Sequence, residues 1–148
     1  MHIGFNNGIF YRLYQQSTDR FTPDYINTFQ ANGKTNAIEL HCINKEEIDH
    51  LIHTDTIDLS NFSYLSLHAP NHQYTDDELS HTILTKIAEV CNQYPIKNIV
   101  FHPDKVQDRK VFQSYKHLPV SIENMDNLKK SHRNLEDIQA ILKKYDFF

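Results

Sequence analysis

Five short apolar runs, each followed by a stretch with helical periodicity, dictate the kind of fold open to this chain. The runs occupy residues 3–5, 37–40, 62–67, 99–101 and 120–122. Where strand, helix and strand alternate, each helix returns the chain to the start of the next strand, so the strands run parallel and the helices cover the sheet. The helical stretches carry their own signals. Thr22 is an N-cap with Pro23 at the first helical position. Asn44 opens a second helix, with Ile48, Leu51 and Ile52 at spacings of three and four and Glu46, Glu47 and Asp49 in the early turns favoured by the helix dipole. Thr75-Asp76-Asp77-Glu78 has the Thr-x-x-Glu capping-box form and precedes a stripe of Leu79, Ile83, Leu84, Ile87, Val90 and Cys91. Arg109–Tyr115 is a short helix, and Asn134 caps a last one striped by Leu135, Ile138, Ile141 and Leu142. These make five βα units of roughly thirty residues. No linker or low-complexity tract interrupts them, so residues 1–148 are expected to form one domain.

Such a pattern suits either an open doubly wound sheet or a closed (β/α) barrel. The first strand leads into Gly4-Phe5-Asn6-Asn7-Gly8, which lacks GxGxxG, and no GxxxxGK[ST] occurs, so dinucleotide and P-loop sites have no support. Polar residues end successive strands, which favours the barrel, whose sites are assembled at the C-terminal ends of several strands. The expected fold is α/β: five parallel strands with covering helices, a partial barrel of the TIM type. The net charge of −4 argues against holding nucleic acid by bulk electrostatics. No run approaches the eighteen or so apolar residues of a membrane span, and the N-terminus lacks signal-peptide character, so the expectation is a cytoplasmic protein with no membrane partner. Cys42 and Cys91 are too few for a disulfide framework and read as ordinary thiols.

The strand ends hold the chemistry. The third run closes on His68, the fourth on His102 and the fifth on Glu123. Parallel neighbours bring these ends to one rim, and two imidazoles with a carboxylate on one rim are a metal site. Glu39 closes the second run and is a candidate substrate-binding, ligand-orienting or simply paired carboxylate. His41-Cys42 follows it in what reads as a loop and is expected to pack rather than ligate. His50-x-x-His53 is expected to be an exposed helical pair, and His72, His81, His117 and His132 to be solvated. Asn124 either contacts substrate or closes a turn. Lys129, Lys130, His132 and Arg133 form a small basic cluster expected to be solvated.

The stretches Leu67-His68-Ala69-Pro70, Val100-Phe101-His102-Pro103 and Ser121-Ile122-Glu123-Asn124, in this order and with Glu39 on the second strand, resemble strands three, four, five and two of the xylose isomerase-like barrel superfamily. This superfamily contains endonuclease IV and many sugar isomerases and epimerases. The resemblance implies metal roles for His68, His102 and Glu123, as in endonuclease IV-like members, whereas in the isomerase branch Glu123 is the surest ligand and the histidines can contact substrate. Glu39 and Glu123 are the candidate catalytic carboxylates. Asp104 stands where the family commonly has glycine and is either an extra carboxylate or a turn residue. A full barrel has eight units and roughly 250 residues, so the sequence is expected to be part of a longer barrel, or a short form completed by association as a homo-oligomer.

A divalent cofactor follows: Zn²⁺ or Mn²⁺, with Mg²⁺ as a third option. Zinc on two imidazoles and a carboxylate suits phosphodiester hydrolysis, and Mn²⁺ or Mg²⁺ suits aldose–ketose isomerisation or epimerisation with a carboxylate moving the proton. An acidic chain without a basic stripe puts a small carbohydrate substrate first and abasic DNA second. A third expectation is an inactive barrel fragment serving as a binding or assembly module.

Overall fold

A computed structural model describes residues 2–8, 17–30, 35–54, 57–125 and 134–144. Five parallel strands lie side by side in chain order: β1 (Gly4–Asn6), β2 (Ala37–His41), β3 (Tyr64–His68), β4 (Ile96–Phe101) and β5 (Val120–Ile122). The helices are α1 (Pro23–Gln30), α2 (Lys45–His53), α3 (Glu78–Gln93) and α4 (Leu135–Lys144), with 3₁₀ turns at Ser17–Phe21, Pro103–Lys105 and Arg109–Tyr115. This is the expected α/β architecture, and sequential parallel neighbours are compatible with part of a barrel. No described helix is long and apolar enough to cross a membrane.

The sheet has two unlike faces because strand side chains alternate. Ile38 and Leu40 of β2, Leu65 and Leu67 of β3, and Ile99 and Phe101 of β4 are buried in one cluster with Ile26, Ile48, Leu51, Ile83, Leu84, Ile87 and Val90 of the helices. The other face carries Asn6, Glu39, His41, Ser66, His68, Asn98 and Val100, as the register fixes: Asn6 opposite Glu39, Glu39 opposite Ser66, His41 opposite His68, and Ser66 opposite Asn98. A bulge sets this parity in β4. Leu65 pairs with Ile96 but Ser66 pairs with Asn98, leaving Lys97 as the extra residue. One added residue re-aims a strand. Here it lets Ile96 face the helices while Asn98, Val100 and His102 face the polar side.

The helix starts follow their caps, with one correction. Asn44 Oδ1 accepts from Glu47 N at 3.0 Å, as its position before α2 predicts. For α3, however, the cap is Asp77, whose Oδ1 accepts from Ser80 N at 2.8 Å, and not Thr75. Tyr74 is tied to the 3₁₀ turn after β4, donating to Lys105 O at 2.7 Å and accepting from Gln107 N at 2.9 Å. The chain at Thr75 is therefore held by the Tyr74 backbone outside the helix, and of the two aspartates that follow it is Asp77 that caps. Thr75 instead donates its hydroxyl to Asp77. The stretch Arg109–Tyr115 is a 3₁₀ helix rather than an α-helix. Asn134 Oδ1 accepts from Asp137 N at 2.8 Å and caps α4.

One buried ion pair locks the C-terminal end of β2. Arg20 Nη2 lies 2.5 Å from Glu47 Oε2, both side chains are fully buried, and the same arginine nitrogen donates to His41 O at 2.8 Å. Glu47 Oε2 also accepts from Ile43 N at 2.5 Å.

Candidate metal centre

His68 is the last residue of β3, His102 follows β4 and Glu123 follows β5. Their backbones stay on the ladder: Ala69 N donates to Val100 O at 2.9 Å, and Glu123 N to Phe101 O at 3.0 Å. Each side chain thus stands at or one residue past the end of a strand. His68 Nε2 and His102 Nε2 are 2.9 Å apart, and Glu123 Oε2 lies 3.5 Å from the first and 3.3 Å from the second. The two imidazole planes meet at 88°. His68 is buried and the Glu123 side chain is 44% exposed, so the triad has one wall in the protein and one side toward solvent.

The donor set fits a small divalent cation. Spokes of 2.0–2.2 Å to nitrogen and oxygen give a tetrahedral site edges of about 3.4 Å, and two of the three separations here lie within about a tenth of an ångström of that. The third, between the imidazoles, is shorter, as two ring nitrogens sharing one proton would be. His68 Nδ1 lies 3.1 Å from Ala69 O. A carbonyl only accepts, so Nδ1 carries the hydrogen and His68 turns the lone pair of Nε2 toward His102 and Glu123, the arrangement metal-binding histidines use. Among the described residues, His68, His102 and Glu123 are the group whose ligand atoms all lie within 4.8 Å of one another.

Glu39 stands apart from this group. It lies one pleat repeat, about 6.7 Å, below the level of His41 and His68 on the same face. Its Oε1 accepts from Asn6 Nδ2, and its Oε2 lies 3.4 Å from Ser66 Oγ. A cavity of about 330 Å³ opens beside it, lined by Gly4, Asn6, Ala37, Glu39, Tyr64 and Ser66. Glu39 is therefore a wall of a pocket below the rim.

His41 corrects the sequence expectation. It is the terminal residue of β2, on the triad's face, and its ring stacks on His68 with 4.3 Å between centroids and 14° between planes. Asn7 Oδ1 accepts from His41 N at 2.7 Å, and Asn6 Nδ2 lies 3.2 Å from His41 Nδ1. Burial, followed by the nearby His68, Arg20 and His102, lowers the His41 pKa to about 4. Reading the strand as ending at Leu40 puts His41 in a loop; the i,i+2 spacing from Glu39 to His41 is the signal that places both on one face. Asn6 and Asn7 carry no such signal, because the partners that tie them to the site, Glu39 and His41, are more than thirty residues away.

The remaining candidates do not join the triad. Cys42 is fully buried, as packing requires, and burial pushes its thiol well up. Asp104 sits in the 3₁₀ turn, with its carbonyl accepting from Gln107 Nε2 at 2.7 Å. His53 Nδ1 is bonded to Asp49 O at 2.7 Å, and Asn124 is exposed. His72, expected in solvent, is half-buried with Nε2 3.1 Å from Ser80 Oγ. Lys129, Lys130, His132 and Arg133 lie outside the described residues. Compared with known proteins, the chain matches no family model, no curated protein and no solved structure.

Proposed function

We propose that this protein holds a divalent cation, Zn²⁺ or Mn²⁺ in preference to Mg²⁺, on His68, His102 and Glu123, and isomerises or epimerises a small sugar or sugar phosphate beside it. The observation that carries this is the convergence of two imidazole nitrogens and a carboxylate oxygen within 4.8 Å at one end of a parallel sheet. Nitrogen donors favour Zn²⁺ and Mn²⁺ over Mg²⁺, which prefers an all-oxygen shell. When bound, such a cation supplies Lewis acidity toward neighbouring oxygens of a polyol or carbonyl compound. The chain's own part is positioning and proton movement. The cavity beside Glu39 is within the range that small ligands fill. A carbohydrate reaching from the rim into it would place a carbon near the Glu39 carboxylate, which Asn6 and Ser66 hold from both sides. In that position Glu39 takes up a proton from one carbon and returns it to the same or the adjacent one. Likeness of the strand-end motifs to the xylose isomerase-like superfamily supports the same assignment.

Hydrolysis of a phosphodiester in the manner of endonuclease IV is the second reading. It is favoured by one observation, the predominance of imidazole in the donor set, which is common in hydrolytic zinc sites. The net charge of −4 weighs against DNA as the substrate.

Calorimetric titration of chelator-stripped protein with Zn²⁺ and Mn²⁺, followed by aldose–ketose, epimerase and abasic-oligonucleotide assays, tests both. The expected result is one bound ion per chain, lost on combined His68→Ala, His102→Ala and Glu123→Gln substitution, with sugar turnover abolished by Glu39→Gln while the ion stays bound. Unchanged stoichiometry in the triple variant overturns the metal assignment. Abasic cleavage insensitive to Glu39→Gln overturns the isomerase in favour of the hydrolase.

A further inference from the structure

His41 is the third imidazole at the rim, and its hydrogen bonds say which of its nitrogens carries a proton. The orientation of the Asn6 amide is fixed by two chemically unambiguous partners. Its Oδ1 accepts from Gly8 N at 2.6 Å, and its Nδ2 donates to the Glu39 carboxylate. A flipped amide would set oxygen against carboxylate and N–H against N–H. The second hydrogen of the same Nδ2 is left for His41 Nδ1, 3.2 Å away. An amide N–H can only donate, so Nδ1 must offer its lone pair and the ring hydrogen must sit on Nε2.

With its Nδ1 lone pair engaged by Asn6 and its other nitrogen protonated, His41 has no donor pair to give a cation. By distance, too, it lies outside the group of ligand atoms within 4.8 Å of one another to which its stacking partner His68 belongs. The ring cannot easily turn to change this. Its backbone N–H is held by Asn7, its carbonyl by the buried Arg20, and one ring face by His68. The two nitrogens of an imidazole point to nearly opposite sides of the ring, so the Nε2–H is directed away from Asn6. Among the described residues, no acceptor meets it.

We infer that His41 is a specificity-determining hydrogen-bond donor, offering a fixed Nε2–H to an oxygen of the ligand seated at the His68–His102–Glu123 centre. This rests on the metal assignment proposed above and adds the group that distinguishes an oxygen-bearing ligand from water alone. Glu39, Asn6 and His41 then form one chain of contacts, in which the carboxylate orients the amide and the amide sets the tautomer that faces the ligand.

Long-range proton–nitrogen NMR of the imidazoles in metal-free protein reads the tautomer directly. The expected result is an unprotonated Nδ1 and a protonated Nε2 for His41, with the preference weakened by Asn6→Ala. A protonated Nδ1 in the wild-type protein overturns the inference. The second arm loads the protein with zinc and titrates acetohydroxamate, a small chelating oxygen anion, into the wild type and into His41→Phe, which keeps a flat ring against His68 but has no N–H. Zinc affinity should stay within about twofold, while acetohydroxamate affinity falls roughly fivefold or more, the loss expected for one neutral hydrogen bond. Equal acetohydroxamate affinity overturns the role of His41 and leaves the metal centre standing. Failure of the wild type to bind zinc overturns the metal assignment itself, and this inference with it.

Discussion

The His41 ring lies flat against the His68 ring, 4.3 Å between centroids, so one imidazole at the rim braces another. Removing the brace without touching the ligands should therefore be felt at the centre. An aromatic pair contributes about 0.5–1.5 kcal/mol beyond burial, so His41→Ala should weaken zinc binding by roughly two- to tenfold, whereas His41→Phe should not. Calorimetric titration of the two variants checks this, and equal affinity in both would show that the stack does not position His68.

The Arg20–Glu47 pair should be costly to break and cheap to replace whole. Arg20→Met leaves the Glu47 carboxylate buried with only the Ile43 N–H for company, a loss of about 3–5 kcal/mol. Adding Glu47→Leu should recover much of it, since an apolar pair of similar volume carries no desolvation penalty. Urea denaturation of the single and double variants makes the comparison. A single variant within 1 kcal/mol of wild type, on the scale expected for a surface pair, would mean that the pair is not buried in solution.

Strand β1 approaches β2 closely at one point. A Cβ built on Gly4 would lie 2.6 Å from Ala37 O and 2.7 Å from Ala37 Cβ. Gly4→Ala must therefore push the edge strand outward, at a cost of about 1–3 kcal/mol, and Asn6 with it. The readouts are the thermal midpoint and the Asn6 amide resonances, which should shift together. A fully neutral Gly4→Ala variant would contradict the pairing of Gly4 with Ala37.

Helix α3 should carry a pH signature at its start. The hydrogen bond from Thr75, then that from Ser80 N, lowers the Asp77 pKa to about 2 from an ordinary 3.8. A folded-state value below the unfolded one means that the unfolded chain takes up the proton first, so the contribution is complete above about pH 4 and is lost as the pH falls toward 2. Wild type should melt a few degrees above Asp77→Ala at neutral pH, and the gap should close across that acid window. A gap independent of pH would argue that Asp77 caps through shape and not charge.

Most of the layout was legible in local pattern. Apolar runs and caps such as Asn44 and Asn134 are written within a few residues, so strand order and the three rim residues follow from spacing alone. What was illegible depends on distant partners. His41 is held on the sheet by Asn7 and Arg20, which clamp its backbone, and the only local trace of this is its i,i+2 spacing from Glu39. Thr75 loses its cap to Asp77 because Tyr74 is pulled into contact with Lys105 and Gln107, thirty residues on. The Arg20–Glu47 pair joins a turn to a helix start, and neither residue's neighbours distinguish it from a surface charge.

Strand β4 tolerates changes in length unequally along its course. Lys97 is the supernumerary residue, so deleting it should leave a regular ladder with Ile96 still toward the helices and His102 still toward the polar face. Past that point there is no slack. With the bulge kept at Lys97, a one-residue deletion or insertion between Ile99 and Phe101 would exchange the sides of the residues that follow, turning Phe101 or its replacement outward and directing the His102 imidazole toward the helices. Variants of this chain that keep the three rim residues together should therefore differ in length no later than Asn98 and not between Ile99 and His102.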